Sequence, residues 1–294
     1  MEHRDPFSSY HPLVNFLYFA LVLVFAACLL HPASLMISLG AALAHSVCLR
    51  GCRAVGRSLL YLLPMMALAT LVNSAFNHEG ATILAYLPTD NPLTLESILY
   101  GLATSLLLGS VILWFSCYAV VMTSDKFIYL FGRVLPALSL ILSMTLRFIP
   151  RFREKFHAIA EAQRCVGRDL SSGSLLQRIH TATAILSILV TWALEHAIET
   201  ADSMKSRGYG LPGRTAFSLY RLEQRDRLVL CWLLLCGMYL AYGWAAGYLE
   251  WHYYPLVGGT CSPSFYLVHL ALDLTPILVN GKEDRQWTRS RFGT

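Results

Sequence analysis

Long apolar segments without charge are the dominant pattern along this chain of 294 residues. Asp, Glu, Lys and Arg are absent from five segments, which are Pro12–Leu49, Ser58–His78, Ser97–Ser124, Leu228–Leu249 and Trp251–Leu272. Each segment reaches the roughly 20 apolar residues that cross a bilayer as a helix. The first is nearly twice that length and is interrupted by His31-Pro32, where a proline favours a new helix start. The pattern predicts two spans there and one in each other segment.

These segments predict an all-α polytopic membrane protein with about six transmembrane helices. After the first two, the predicted spans are Leu59–Phe76, Leu95–Met122, Leu228–Tyr248 and a weaker Phe265–Asn280. We expect three regions: a membrane region over residues 1–124, a cytoplasmic region over 125–227, and C-terminal spans with a basic tail over 228–294.

The placement of basic residues sets the expected orientation, because Lys and Arg accumulate on the cytoplasmic side of membrane proteins. Most of the 23 basic residues fall between Asp125 and Arg227, and none occurs over Ser58–Asp125 or Leu228–Gly281. Both termini are therefore predicted to be cytoplasmic. The net charge is +5, but the basic residues border apolar segments and form no patch interleaved with aromatic residues. We therefore expect a lipid bilayer, and no nucleic acid, as partner.

The cytoplasmic region contains two apolar stretches that are shorter than a comfortable span. Val134–Leu146 and Ile179–Leu194 are expected to stay out of the membrane and to continue as amphipathic helices. Each helix is predicted to stop at a glycine, Gly167 or Gly208, since glycine best adopts the left-handed conformation that closes a helix. Arg207 lies just before the second stop, where a cation interacts favourably with the helix dipole, and this alone could explain an arginine there. Its place on an exposed, basic helix end favours docking on a separate partner, where a guanidinium can bind a carboxylate.

Several short motifs resemble the transmembrane T component of energy-coupling factor (ECF) transporters, the CbiQ-like family, from about His11 to Arg227. They are Asn73-Ser74-Ala75-Phe76 with Gly80, Met122-Thr123-Ser124-Asp125, Leu146-Arg147-Phe148-Ile149-Pro150, Glu161-Ala162-Gln163, and Met204-Lys205-Ser206-Arg207-Gly208-Tyr209-Gly210.

The resemblance implies two coupling helices whose Ala-Arg-Gly-type ends dock in grooves of two ATPase subunits. Ser206, Arg207 and Gly208 match the second motif. The first is degenerate and has Cys165, Val166 and Gly167, with valine in place of the arginine. Arg164 or Arg168 could substitute, although two residues correspond to about 200° around a helix.

The implied function is that of a non-catalytic scaffold in an importer of vitamins or transition-metal ions. Its implied partners are two ATPase subunits, identical or paralogous, and a small substrate-binding membrane subunit. ATP would be bound by the partner ATPases, and no cofactor is expected in this chain.

Two other classes of membrane protein, a secondary transporter and an intramembrane enzyme, are alternatives to this function. A self-sufficient secondary transporter should show broken spans or repeated halves, and the sequence shows neither. An intramembrane enzyme would need clustered catalytic groups, and only His269 and Asp273 lie one turn apart in an apolar segment. This spacing permits metal ligation or a hydrogen bond, and we expect the hydrogen bond, or an interfacial helix that does not cross. The eight cysteines lack C-x-x-C spacing and predict neither disulfides nor a metal site. The P-loop-like run Gly51–Ser58 has Arg57 in place of the lysine and lies between two predicted membrane helices, so we do not expect ATP binding.

Overall fold

The computed structural model describes residues 6–86, 92–132, 135–211, 220–259 and 262–281. The predicted basic tail and Cys261 lie outside these residues, as does Val134. The helices that follow the short 3-10 turn Pro6–Ser9 are α1 (Pro12–Cys28), α2 (Pro32–Arg50), α3 (Cys52–Phe76), α4 (Leu95–Val121), α5 (Ser124–Gly132), α6 (Pro136–Cys165), α7 (Leu175–Ser206), α8 (Gln224–Ala245) and α9 (Pro263–Asp273). Residues 275–281 are also helical. The predicted all-α membrane fold is confirmed.

Two small antiparallel hairpins are the only β-structure in the described part of the chain. The first pairs β1 (Ile83–Tyr86) with β2 (Pro92–Thr94), with Ile83 opposite Thr94 and Tyr86 opposite Pro92. The second pairs β3 (Trp251–His252) with β4 (Gly258–Gly259).

The chain forms two compact units. One contains residues Met1–Phe127 and Tyr220–Thr294, and the other contains Ile128–Leu219. The first unit includes the predicted spans on both sides of the cytoplasmic region, and the second includes α6 and α7. The division of the chain into regions over 1–124, 125–227 and 228–294 stays a prediction about membrane topology.

Five described helices are long and apolar enough to cross a membrane: α2, α3, α4, α7 and α8. The predicted turn at His31-Pro32 is present, since the His31 ring accepts a hydrogen bond from the amide of Ala33 and Pro32 opens α2. The inclusion of α7 differs from the sequence prediction, which judged Ile179–Leu194 too short to cross. The helix continues well beyond both ends of that uncharged stretch, so its length does not exclude a crossing.

The last predicted span, Phe265–Asn280, is two short helical pieces. α9 ends at Asp273, and the chain makes a turn at Leu274 before residues 275–281 resume the helix. Pro276 explains the interruption, because its ring crowds the preceding turn and it has no N–H to donate.

Aromatic side chains fill the core of the first unit. Tyr18 and Phe19 of α1 pack edge-on against Trp114 of α4, with ring centroids 6.0 and 6.4 Å away. The Trp114 indole N–H donates to the Ser38 hydroxyl at 3.0 Å, and the Tyr18 hydroxyl donates to the carbonyl of Asp273 at 2.9 Å. These two buried donors, the Trp114 indole and the Tyr18 hydroxyl, are therefore paired across helices.

His269 and Asp273 form a buried pair on α9. The imidazole Nε2 lies 3.6 Å from the carboxylate Oδ2, and the side chains are 1% and 0% exposed. This distance is longer than a hydrogen bond, so the predicted hydrogen bond was wrong. Among the described residues, no group of three or more His, Cys, Asp and Glu side chains is arranged to hold a metal ion.

The P-loop-like run has the wrong local structure for phosphate binding. Gly51 alone separates α2 from α3, and the run from Cys52 onwards lies in the first turns of α3. A phosphate loop follows a strand and precedes a helix, whereas this segment connects helix to helix.

Candidate docking site on the two long helices

The second unit is built on α6 and α7, and both helices have clear start signals. α6 opens with Pro136, whose fixed φ suits the first helical position. α7 opens with a capping box: the Ser174 hydroxyl accepts from the Gln177 amide at 3.4 Å, while the Gln177 side chain accepts from the Ser174 amide at 3.0 Å. The two helices are thus separate elements, joined by the connector 166–174.

An aromatic cluster joins α6 to α7 where they contact each other. Phe148 lies 5.5 Å from the His196 ring, and Phe152 lies 5.5 Å from the Trp192 ring at an interplanar angle of 86°. Trp192 and His196 stack within α7 at 5.4 Å, and the Lys155 ammonium lies 5.7 Å from the centre of the Trp192 ring. Edge-to-face rings and a cation over an indole are favourable arrangements. We call these five residues the crossing cluster.

The crossing cluster was only half visible in the sequence. Phe148, Phe152, Phe156, Ile159 and Val166 recur at steps of three, four or seven residues and predict an apolar stripe on the first amphipathic helix. The partners of the two phenylalanines, Trp192 and His196, were not identified. The spacing of four residues in both pairs places each pair on one helix face, and this is the signal that could have found them.

The first predicted docking motif forms the C-terminal end of α6. Cys165 is its last residue, Val166 is the cap with φ −89° and ψ 8°, and Gly167 has φ +83°. The amide of Arg168 donates to the carbonyl of Gln163 at 3.0 Å, and the amide of Gly167 donates to the carbonyl of Arg164 at 2.9 Å. These two bonds define a Schellman motif, which requires the left-handed glycine.

The second predicted docking motif forms the same structure at the end of α7. Ser206 is the last helical residue, Arg207 is the cap with φ −82° and ψ 5°, and Gly208 has φ +81°. The amide of Tyr209 donates to the carbonyl of Met204, and the amide of Gly208 donates to the carbonyl of Lys205, each at 3.0 Å. The Arg207 side chain is exposed. We call Cys165–Gly167 the first tip and Ser206–Gly208 the second tip.

The two tips end different helices, and each lies at a distance from the crossing cluster. The first tip lies 13 residues beyond Phe152 on α6 and the second lies 14 residues beyond Trp192 on α7. At 1.5 Å per residue, each tip is about 20 Å along its helix from the crossing cluster.

The two alternative arginines of the first tip have different surroundings. The Arg164 guanidinium lies 3.6 Å from the Asp169 carboxylate, with the two side chains 75% and 26% exposed. The Ser171 hydroxyl and amide donate to that carboxylate and hold the pKa of Asp169 below its usual value, to which Arg164 adds a smaller attraction. Arg168 follows Gly167 and is exposed. The connector that carries these residues is further held by Arg178, which donates to the carbonyl of Leu170 at 2.7 Å.

Comparison with known proteins agrees with the resemblance seen in the motifs. The family model described as CbiQ, cobalt transport protein, matches residues 8–218, which include α1 to α7 and both tips. A protein of Lactobacillus helveticus named energy-coupling factor transporter transmembrane protein EcfT is 35% identical over 107 residues, 36% of this chain and 39% of that protein. Proteins of the same name from Exiguobacterium sibiricum and Bacillus selenitireducens are 34% and 38% identical, over 40% and 37% of their lengths. The matched region thus spans about two fifths of each relative.

Proposed function

Because this chain belongs to the CbiQ cobalt transport protein family, we propose that it is the transmembrane coupling subunit of an ATP-driven importer. In this proposal two ATPase subunits bind the tips, and a small substrate-binding membrane subunit receives their motion. ATP is bound and hydrolysed by the ATPases, so the chain itself is not an enzyme and holds no cofactor. The relatives named as energy-coupling factor transporter transmembrane proteins support the assignment.

The observation that carries the proposal is the repeated structure of the helix ends. Two long helices meet at the crossing cluster, and each ends in an exposed Schellman cap. A rigid helix pair with exposed ends is suited to carry motion from one binding partner to another. At the second tip, the exposed guanidinium of Arg207 offers two parallel N–H donors to a carboxylate of the partner.

The proposed location is the plasma membrane of a prokaryote, with both termini in the cytoplasm. Five apolar helices support a multi-pass membrane protein. The cytoplasmic position of the termini is supported by the basic residues of Asp125–Arg227 and by the lack of such residues over Leu228–Gly281. The transported substrate is proposed to be a vitamin or a transition-metal ion, and the family description favours cobalt as the first to test.

The proposal is tested by reversing the charge at the second tip. Arg207→Glu removes a charge-assisted bond and places like charges together, so we expect co-purification of the ATPases to fall by about tenfold to a hundredfold. Uptake of radiolabelled Co²⁺ or of a panel of radiolabelled vitamins should fall with it. Arg153→Glu makes the same charge change at an exposed position of α6 away from both tips and is the matched control. Unchanged assembly and uptake in Arg207→Glu would remove the role given to the second tip.

A further inference from the structure

The two tips share one backbone structure and differ in one decisive side chain. Their hydrogen-bond patterns superpose residue by residue, so that Arg164 corresponds to Lys205, Cys165 to Ser206, Val166 to Arg207, Gly167 to Gly208 and Arg168 to Tyr209. The cap residues have nearly equal φ and ψ, and therefore their Cα–Cβ bonds leave the helix end in the same direction. Where the second tip presents a guanidinium, the first presents the isopropyl group of Val166, a residue that is 73% exposed.

No neighbouring arginine takes the place of Arg207 at the first tip. Arg164 corresponds to Lys205, so the two tips already share that positive charge and it does not compensate for Val166. Arg164 is also drawn towards Asp169, at 3.6 Å, and the second tip has Gly210 at the position that corresponds to Asp169. Arg168 corresponds to Tyr209, on the far side of the left-handed glycine.

A single partner surface does not suit both caps. A groove that receives Arg207 needs a carboxylate, and the same carboxylate buried against Val166 would lose its water without gaining a donor. Val166 binds best in an apolar groove. The same groove would leave the guanidinium of Arg207 without a partner. Partner specificity is set as much by these mismatches as by the favourable contacts.

On the basis of the proposed function, we infer that the first tip docks through an apolar contact of Val166 and that the two ATPase chains have different sequences. The ATPase at the second tip carries a carboxylate opposite Arg207. The ATPase at the first tip has an apolar pocket at the corresponding place. The first tip is thus a docking site of a different chemistry, in which Val166 is the contact residue.

The test uses the two equivalent positions 165 and 206, which end their helices next to the cap residues. A photocrosslinking amino acid is placed at either position in the full complex, purified from its native membranes, and the crosslinked chains are identified by mass spectrometry. We expect two different ATPase sequences, one from each position. The same ATPase sequence at both positions would overturn the inference and leave the proposed function intact. An ATPase at 206 and none at 165 would overturn docking at the first tip. No ATPase at either position would overturn the proposed function as well.

Variants of Val166 test the chemistry of the first tip directly. Val166→Arg should lower crosslinking from position 165 by at least about tenfold, because a guanidinium enters an apolar pocket. Val166→Ile keeps the apolar contact and should crosslink as well as the natural chain. Crosslinking from position 206 in the same variants shows that the complex still assembles. Equal or stronger crosslinking from 165 in Val166→Arg would mean that a carboxylate receives the first tip, and the inference would be wrong.

Discussion

Replacement of Trp192 by alanine should loosen the contact between α6 and α7 at a calculable cost. The change removes the edge-to-face contact with Phe152 at 5.5 Å and the cation–π contact with Lys155 at 5.7 Å. An aromatic pair contributes about 0.5–1.5 kcal/mol and a cation over an exposed ring about 0.5–1 kcal/mol. The stacking on His196 lies within α7 and does not hold the two helices together. The loss at the crossing is therefore about 2 kcal/mol, a change of roughly thirtyfold in the population of separated helices.

The effect should be measurable at the two tips. Each tip lies about 20 Å along its helix from the crossing cluster, so a change of about 10° in the crossing angle moves it by about 3–4 Å. Spin labels introduced at positions 165 and 206 as unnatural amino acids report this movement through the distance distribution measured by pulsed electron paramagnetic resonance. We expect a clearly broader distribution in Trp192→Ala than in the natural chain.

Trp192→Phe is the matched control, because it keeps a ring against Phe152 and should broaden the distribution much less. A distribution in Trp192→Ala as narrow as that of the natural chain would show that the crossing cluster does not set the angle between the helices. The measurement does not depend on transport and is therefore independent of the proposed function.

Three further predictions concern the helix ends, the buried pair and the connector. Gly167→Ala and Gly208→Ala should each cost about 1–2 kcal/mol, because alanine is strained at φ +83° and +81°. The methyl carbon added at Gly208 would also lie 3.0 Å from the end of the Leu211 side chain, which is exposed and can move away. Faster amide hydrogen exchange in the last turn of each helix would check this. His269→Leu should destabilise the first unit by about 1–3 kcal/mol, because the buried Asp273 side chain loses the polar imidazole beside it, and addition of Asp273→Asn should restore part of that loss in thermal unfolding. Finally, the pKa of Asp169 is lowered in the folded protein, so its ionised carboxylate stabilises the folded connector. This stabilisation is fully present above the ordinary aspartate pKa of 3.8 and is lost as pH falls through the lower pKa of the folded protein. The rate at which pepsin cuts the connector of the natural chain, divided by the rate for Asp169→Asn at the same pH, should therefore rise as pH falls below 4. A ratio of the two rates that does not change with pH would contradict this.

Most of the apolar helices of the first unit were predictable from the positions of charged residues and the lengths of the segments between them. The predicted span Leu95–Met122 agrees with α4 to within one residue. The start of α3 was placed too late at Leu59, since Arg53 and Arg57 were taken to lie outside the helix, and they instead form its first turns. Basic residues mark the membrane boundary, and a helix can continue beyond it.

The tips were predictable for a different reason, which is that a helix stop is a local event. The left-handed φ of Gly167 and Gly208 is a property of one residue, so glycine at those positions was enough to place both ends. The crossing cluster depends on contacts between residues about forty positions apart, such as Phe152 with Trp192. Periodicity within one helix gives the face that is apolar, and it does not identify which other helix covers that face.

The position of the crossing cluster has a mechanical consequence. Measured from Phe152, α6 extends about 24 Å towards its start and about 20 Å towards its tip, and from Trp192 the two arms of α7 are about 26 and 21 Å. Each helix is thus a lever with its fulcrum near the middle. Pro150, the proline within α6, lies in the same turn as Phe152, so the bend that a proline favours falls near the fulcrum. Such a lever neither magnifies nor reduces a displacement: a shift of a few ångströms at one end returns at the other with about the same amplitude and the opposite direction.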